Sequence, residues 1–260
     1  MEKSKDLQLF CYAHFLPEYG LVDDEFHTPM HVGKELHKDV EVCEVCDNTG
    51  DNISMLNGLM SELTGMYWVW KNVNDVKYVG TEHYRRRFGL SPEEIAEILK
   101  EKDLITFKPI LCENSLLADY VGCHSEFDMF ATEYIVRRFF PDYTASWDKY
   151  ITNGHMLFAS NCFISTKENY DKACEFVFGA LRVFIETFGI FDPVRLTNHV
   201  RMFCVPSCPD EKNDGEFGWI KYQMRLGGFL AERLFTLYFL HNFPEDKIYT
   251  TEIIEMEKQE

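Results

Sequence analysis

The chain opens with a dense apolar window, Leu7-Gln8-Leu9-Phe10-Cys11-Tyr12, which stops before Pro17 and Gly20 and reads as a first strand. Val40-Glu41-Val42-Cys43-Glu44-Val45 alternates apolar and acidic residues with the period of a half-exposed strand, and Val32 to His37 between the two reads as a short helix. Asp47-Asn48-Thr49-Gly50-Asp51-Asn52 then gathers turn-forming residues. After it the period becomes helical, with Leu63, Met66, Tyr67 and Trp70 on one face. Val76-Lys77-Tyr78-Val79-Gly80 predicts a short buried strand, and the polar segment Thr81 to Arg87 falls just past its carboxyl end. Ser91-Pro92-Glu93-Glu94 opens a helix to about Lys102, with a capping serine, proline at the first helical position and acids where the helix dipole favours them. Leu104 to Phe107 reads as a strand ending at Pro109, and Cys112 to Tyr150 as helical and irregular by turns. Met156 to Ala159 and Cys162 to Ser165 predict an apolar hairpin or one bent strand interrupted at Ser160-Asn161, followed by a helix from Lys167 to Phe188. A last helix runs from Gly228 to Phe239. This order predicts one mixed α/β domain over residues 1–260, a mixed central sheet flanked by helices, with helical elaborations in the C-terminal half.

Composition narrows what such a domain does. With 46% hydrophobic and 15% aromatic residues the chain supports a substantial core, which excludes disorder. Its 26 basic and 43 acidic residues give a formal charge of −17, which opposes attraction to nucleic acid or anionic lipid. A local basic cluster must then have a local purpose. The nine cysteines are scattered and odd in number, and Met1 to Asp6 carries no apolar signal core, so the expected setting is the reducing cytoplasm. Cys43 and Cys46 form a C-x-x-C with no second pair at zinc-ribbon distance and read as ordinary thiols. No apolar run approaches the roughly 20 residues that span a bilayer, which limits membrane contact to the periphery.

Arg85-Arg86-Arg87 carries the most chemistry. Three adjacent guanidiniums repel one another unless anions or acids are close, and arginine holds phosphate through a planar fork of donors. A salt-bridged surface turn is the plainer reading, but a place at the end of a strand of an open α/β sheet favours phosphate. Glu82 and His83 beside it are possible metal ligands or acid/base groups. Tyr67, Trp68 and Trp70 with Lys71 suggest a sugar-stacking surface, in which Tyr67 and Trp70 belong to the core-facing stripe and Trp68 is the ligand candidate. Asp47, Asn48, Thr49, Asp51 and Asn52 offer donors and acceptors for a ribose or base. No G-x-G-x-x-G, Walker loop, H-E-x-x-H or G-x-S-x-G occurs, which removes the dehydrogenase, P-loop ATPase, zincin and esterase readings.

Asn48-Thr49-Gly50-Asp51-Asn52-Ile53-Ser54, Glu62 to Asn72, and Tyr78-Val79-Gly80 followed by His83-Tyr84-Arg85-Arg86 stand in a fixed order. Pro29-Met30-His31-Val32-Gly33, Asn153-Gly154-His155-Met156, Asn161-Cys162-Phe163-Ile164 and Gly228 to Phe235 extend it over nearly the whole chain. Together they resemble a bacterial capsular and exopolysaccharide glycosyltransferase family long filed as a domain of unknown function. That resemblance implies a GT-A-like fold and a nucleotide-diphosphate sugar donor, with UDP as the expected nucleotide. It further implies a glycan or lipid-linked glycan acceptor, met at the inner face of the cytoplasmic membrane; galactose or galactofuranose is implied by analogy. Residues 1–110 are then the nucleotide-sugar half and residues 111–260 the acceptor half. Donor contacts are expected from Tyr12, His14, Asp47, Asn48, Thr49, Asp51, Asn52, Glu62, Trp68, Lys71, Asn161 and Arg233. Many GT-A enzymes hold Mn²⁺ or Mg²⁺ on an Asp-x-Asp pair after a central strand. Here Glu82-His83-Tyr84-Arg85-Arg86 stands in its place, so the expectation is that His83, Arg85 and Arg86 stabilise the leaving group without a metal. His155, Asp192 and Glu232 are the acid/base candidates. The alternative from another class is a catalytically silent nucleotide- or carbohydrate-binding module.

Overall fold

Leu7–Ala13 (β1) is a strand buried along its whole length, because both faces of the sheet it lies in are covered. Leu7 and Leu9 face one layer, and Phe10 and Tyr12 the other. The computed structural model describes residues 3–206 and 216–256. The other strands are β2 (His27–His31), β3 (Val45–Cys46), β4 (Tyr78–His83), β5 (Arg86–Arg87), β6 (Leu104–Phe107), β7 (Ile110–Leu111), β8 (Met156–Leu157), β9 (Phe163–Thr166), β10 (Ile248–Thr251) and β11 (Ile254–Glu255). The main sheet has the order β10-β6-β9-β4-β1-β2-β3, and the β5–β11 pair hangs from the end of β4. β1 to β4 run parallel, β9 lies antiparallel between β4 and β6, and β10 is parallel to β6. The sheet is therefore mixed.

The helices are α1 (Asn57–Met60), α2 (Leu63–Asn72), α3 (Pro92–Ile98), α4 (Leu116–Cys123), α5 (Glu126–Phe139), α6 (Thr144–Ser146), α7 (Lys167–Phe188), α8 (Pro193–Phe203), α9 (Glu216–Gln223) and α10 (Leu226–Asn242). α2, α4, α5, α7 and α10 pack on one face of the sheet through a continuous apolar core that includes Leu63, Met66, Tyr120, Val136, Phe184 and Leu234. α3 covers the other face with Ile95. Its start is fixed as the sequence predicts, by a reciprocal bond between Ser91 and Glu94 with Pro92 next in line. Among the described residues no helix is long and apolar enough to cross a membrane.

Several expectations need correction. Of the alternating segment 40–45 only Val45 pairs as a strand, together with Cys46 beyond it. The rest is loop that buries Val42 beside Cys11, Ala13 and Tyr84 and leaves Val40 exposed, so one inward residue produced the alternation. Val32 to His37 makes turns, with Leu36 and His37 both donating to the Gly33 carbonyl, and not a helix. Thr81, Glu82 and His83 lie inside β4 rather than beyond it. The segment 156–165 is neither hairpin nor one strand, since β8 pairs with β7 and β9 with β4 and β6. The helix after Ser91 ends at Ile98, and the last helix is longer at both ends than predicted.

Candidate active site

Parallel strands end with their carbonyl edges aligned, and β1, β2 and β4 deliver His14, the turn at Gly33 and His83 to one such edge. Strand alternation then divides the neighbours of His83. Glu82 points to the opposite face, where its Oε1 accepts from Phe88 N at 2.9 Å and burial raises its pKa. Arg87 points the same way, towards Cys11 Sγ at 3.9 Å, and acts on Glu82 through its charge. Arg86 points the other way and donates to Ser160 Oγ at 2.9 Å. Thus Glu82 and Arg87 belong to the packing of the sheet, and His83, Arg85 and Arg86 to the cleft.

His83 is held down to a pKa of about 3, first by burial and then by Arg85, Arg86, His14 and Arg225. Its Nδ1 accepts from Arg85 N at 3.3 Å, so the neutral ring carries its proton on Nε2 and presents a donor. His14 is lowered by partial burial and then by Arg85, His37 and Arg225. Guanidiniums from two parts of the chain, Arg85 and Arg86 on one side and Arg225 on the other, therefore converge in a protein of formal charge −17. No carboxylate among the described residues lies within ion-pair distance of Arg85, Arg86 or Arg225.

Sequence reasoning missed Arg225. It stands just before Leu226-Gly227-Gly228, and that pair of glycines at a helix start was its only signal. A Cβ on Gly227 would lie 2.7 Å from Met60 Sδ and 2.9 Å from the Leu59 carbonyl oxygen. Only glycine lets α10 approach α1 closely enough for Arg225 Nε to reach Ser61 Oγ at 3.0 Å.

The turn Ser160-Asn161 lies against Arg86. Asn161, 4% exposed, donates from Nδ2 to Glu62 Oε1 at 2.7 Å. Ser160 N donates to Glu232 Oε1 at 2.7 Å, while Glu232 Oε2 and Asp119 Oδ2 each take a 3.0 Å bond from Arg233. Burial raises the pKa of Glu232, against the pull of Arg233 and Ser160 N, and Glu62 raises it further. Glu62, Asn161, Glu232 and Arg233 are thus brought together, and Ser160 ties them to Arg86.

Other predicted residues lie elsewhere. Tyr12 is 2% exposed, and its ring abuts Gly65 in the core. Asp47 is fully buried and uses its carboxylate on Gly33 N, Lys34 N and Ser54 Oγ, pinning the turn after β2. Asn48 bonds Glu35, and Asn52 bonds Gly50 and Ser54. Thr49 and Asp51 are held by Trp68, Tyr67 and Asn72, at the end of α2 that lies about 15 Å from Glu62 at 1.5 Å per residue. Trp68 therefore spends its indole N–H on the loop. Lys71 stands 3.3 Å above the Trp70 ring, on an apolar groove between α2 and α7. His155 bonds Cys112 through both ring and carbonyl, and Asp192 caps α8 by accepting from Val194 N and Arg195 N. These two are engaged in structure away from the arginines.

A divalent cation does not fit the residues at the end of β4, since the groups facing the cleft are His83 and arginines and Glu82 lies on the reverse face. Among the described residues no group of three or more His, Cys, Asp or Glu is placed to hold a metal, and every described cysteine is a free thiol.

A family described as "Domain of unknown function (DUF4422)" matches residues 9–190. No curated protein matches. Among solved structures the fold resembles the apo structure of the bifunctional glycosyltransferase WbbM, with a TM-score of 0.70 and 20% identity. The similarity covers 97% of this chain and 46% of that one, so the chain spans less than half of its solved relative.

Proposed function

Because the chain belongs to the DUF4422 family and shares its fold with a bifunctional glycosyltransferase, we propose that it is a glycosyltransferase using a nucleotide-diphosphate sugar. The observation that carries this reading is the set Arg85, Arg86 and Arg225, three guanidiniums around a neutral His83 without an acidic partner at ion-pair distance among the described residues. Guanidiniums that converge on one edge without a carboxylate between them keep their charge and their forked donors for an anion. The donor is a UDP-sugar, with galactose or galactofuranose as the transferred group. The acceptor is a growing surface polysaccharide or lipid-linked glycan at the inner face of the cytoplasmic membrane.

In the reaction the acceptor hydroxyl oxygen bonds to the anomeric carbon as the bond from that carbon to the diphosphate breaks. Arg85, Arg86 and the Nε2–H of His83 neutralise charge on the leaving diphosphate, the part an ion plays in metal-dependent transferases. The hydroxyl proton needs an acceptor in an inverting transfer. Glu62 suits this role better than Glu232, because its Oε1 holds Asn161 while its Oε2 bonds no partner among the described residues, whereas both oxygens of Glu232 are taken.

Thermal stabilisation by a panel of UDP-, GDP- and dTDP-sugars, followed by transfer assays with and without EDTA, tests the reading. A UDP-sugar at 100 times its Kd should add about 2.7 kcal/mol of stability, and turnover should survive EDTA. Activity abolished by EDTA and restored by Mn²⁺ would sink the metal-free mechanism. Binding of UDP-sugar without its consumption would make the protein a silent module.

A further inference from the structure

Three described residues other than glycine have positive φ, and all three border the arginine cleft: Ser61 at 51°, Ser160 at 76° and Asn161 at 52°. Ordinary side chains hold such a conformation only where the surroundings over-determine it, and it tends to mark function. Here the surroundings do so. Glu232 takes the Ser160 N–H at 2.7 Å, and Asn161 is gripped by Glu62 at 2.7 Å, the Gly228 carbonyl at 3.3 Å and Thr81 Oγ1 at 3.3 Å. Ser61 donates its N–H to the Asn57 carbonyl at 2.8 Å, and its own carbonyl accepts from Asn57 Nδ2 at 2.7 Å.

The two strained serines deliver the same thing. Ser160 Oγ accepts from Arg86 at 2.9 Å, and Ser61 Oγ accepts from Arg225 Nε at 3.0 Å. One arginine comes from β5 and the other from the start of α10, and each is hydrogen-bonded by a serine hydroxyl, with Arg225 also lying over the Phe229 ring at 5.6 Å. A guanidinium has five N–H donors in a fixed plane. Fixing one of them sets the direction of the others without using them up. A carboxylate in place of the hydroxyl would hold the arginine more strongly and cancel its charge.

We propose that Ser61 and Ser160 are positioning residues that aim Arg225 and Arg86 at the two phosphates of one diphosphate group. The proposal rests on the nucleotide-diphosphate reading above and adds to it how the phosphates are shared between the two halves of the chain. Glu232 and Glu62 serve it by holding the Ser160-Asn161 turn.

Calorimetric titration of the full chain with inorganic pyrophosphate tests both levels separately. Glycine takes positive φ without strain, so Ser160→Gly and Ser61→Gly keep the turn and remove the hydroxymethyl group; Ser160→Ala and Ser61→Ala remove the hydroxyl alone and serve where glycine is not tolerated. Each glycine variant should melt no lower than wild type and bind pyrophosphate about tenfold more weakly. Added to Arg86→Ala, Ser160→Gly should cost less than about twofold more, and Ser61→Gly should behave likewise on Arg225→Ala. A glycine variant that binds as wild type does, or that weakens binding equally with and without its arginine, overturns the positioning role and leaves the donor reading standing. Wild-type protein that does not bind pyrophosphate overturns both.

Discussion

Arg86 and Arg87 are consecutive on β5, yet one bonds Ser160 in the cleft and the other lies against Cys11 beneath the sheet. The sequence offers three equal arginines; alternation along a strand assigns them, and that requires knowing that the segment is a strand. His83 and Glu82 divide in the same way. The consequence for His83 is measurable. Its pKa of about 3 lies below the ordinary value of 6.5, so below pH 6.5 the unfolded chain binds a proton that the folded chain refuses. The stability this gives is complete above pH 6.5 and is lost as pH falls towards 3. Comparing denaturant melts of wild type and His83→Gln cancels the opposing contributions of Glu82 and Glu232. Between pH 6.5 and 4.5 wild type should lose about 2 kcal/mol relative to the variant. Parallel curves would show that His83 titrates normally. Among the residues proposed from sequence, His14, Glu62, His83, Arg85, Arg86, Asn161, Glu232 and Arg233 adjoin the cleft. Asp47 and Trp68 carry donors and acceptors of the kind that bind ligands, and in the fold these engage Ser54 and Thr49, which only the partners reveal.

Elements with a clean period were legible. β1, β6 and α7 lie where apolar spacing puts them, and the start of α3 was written in its cap. β2 was not, because His27-Thr28-Pro29-Met30-His31 is buried on both faces, contains a proline and shows no alternation. The place of α10 against α1 was also hidden, since it depends on Gly227 rather than on period. Gly227→Ala should push α10 away from the Leu59 carbonyl, destabilise the fold by about 2 kcal/mol and weaken pyrophosphate binding by moving Arg225 from Ser61. Gly228→Ala meets its nearest atom, on Ser61, at an ordinary 3.7 Å and should be tolerated. Melting curves and titrations of the two variants side by side check this; equal behaviour would mean that the contact at Gly227 does not set the helix.

At the scale of the molecule, a formal charge of −17 surrounds a cationic cleft. An anionic donor is repelled at long range and held at short range. Salt screens the first more than the second, because the Debye length falls from about 30 Å at 0.01 M to about 8 Å at 0.15 M. Association of UDP, followed by stopped flow, should therefore quicken over that range, opposite to the behaviour of a basic nucleotide-binding protein. A rate that falls with salt would mean that the field of the arginines extends beyond the cleft.

The topology of the sheet adds a consequence in time. Val79 on β4 pairs with Ser165 on β9, and β9 in turn seats β6. During synthesis the edge of β4 stays bare until β9 has emerged, roughly 4 to 17 s later at 5–20 residues per second. A bare parallel edge rich in apolar residues is a template for pairing with other chains. Slowing translation between Tyr78 and Thr166 should thus lower the soluble yield, while slowing it after Thr166 should not. In this fold the strand that joins β4 to β6 is also the one that ends the interval in which the edge of β4 lies open.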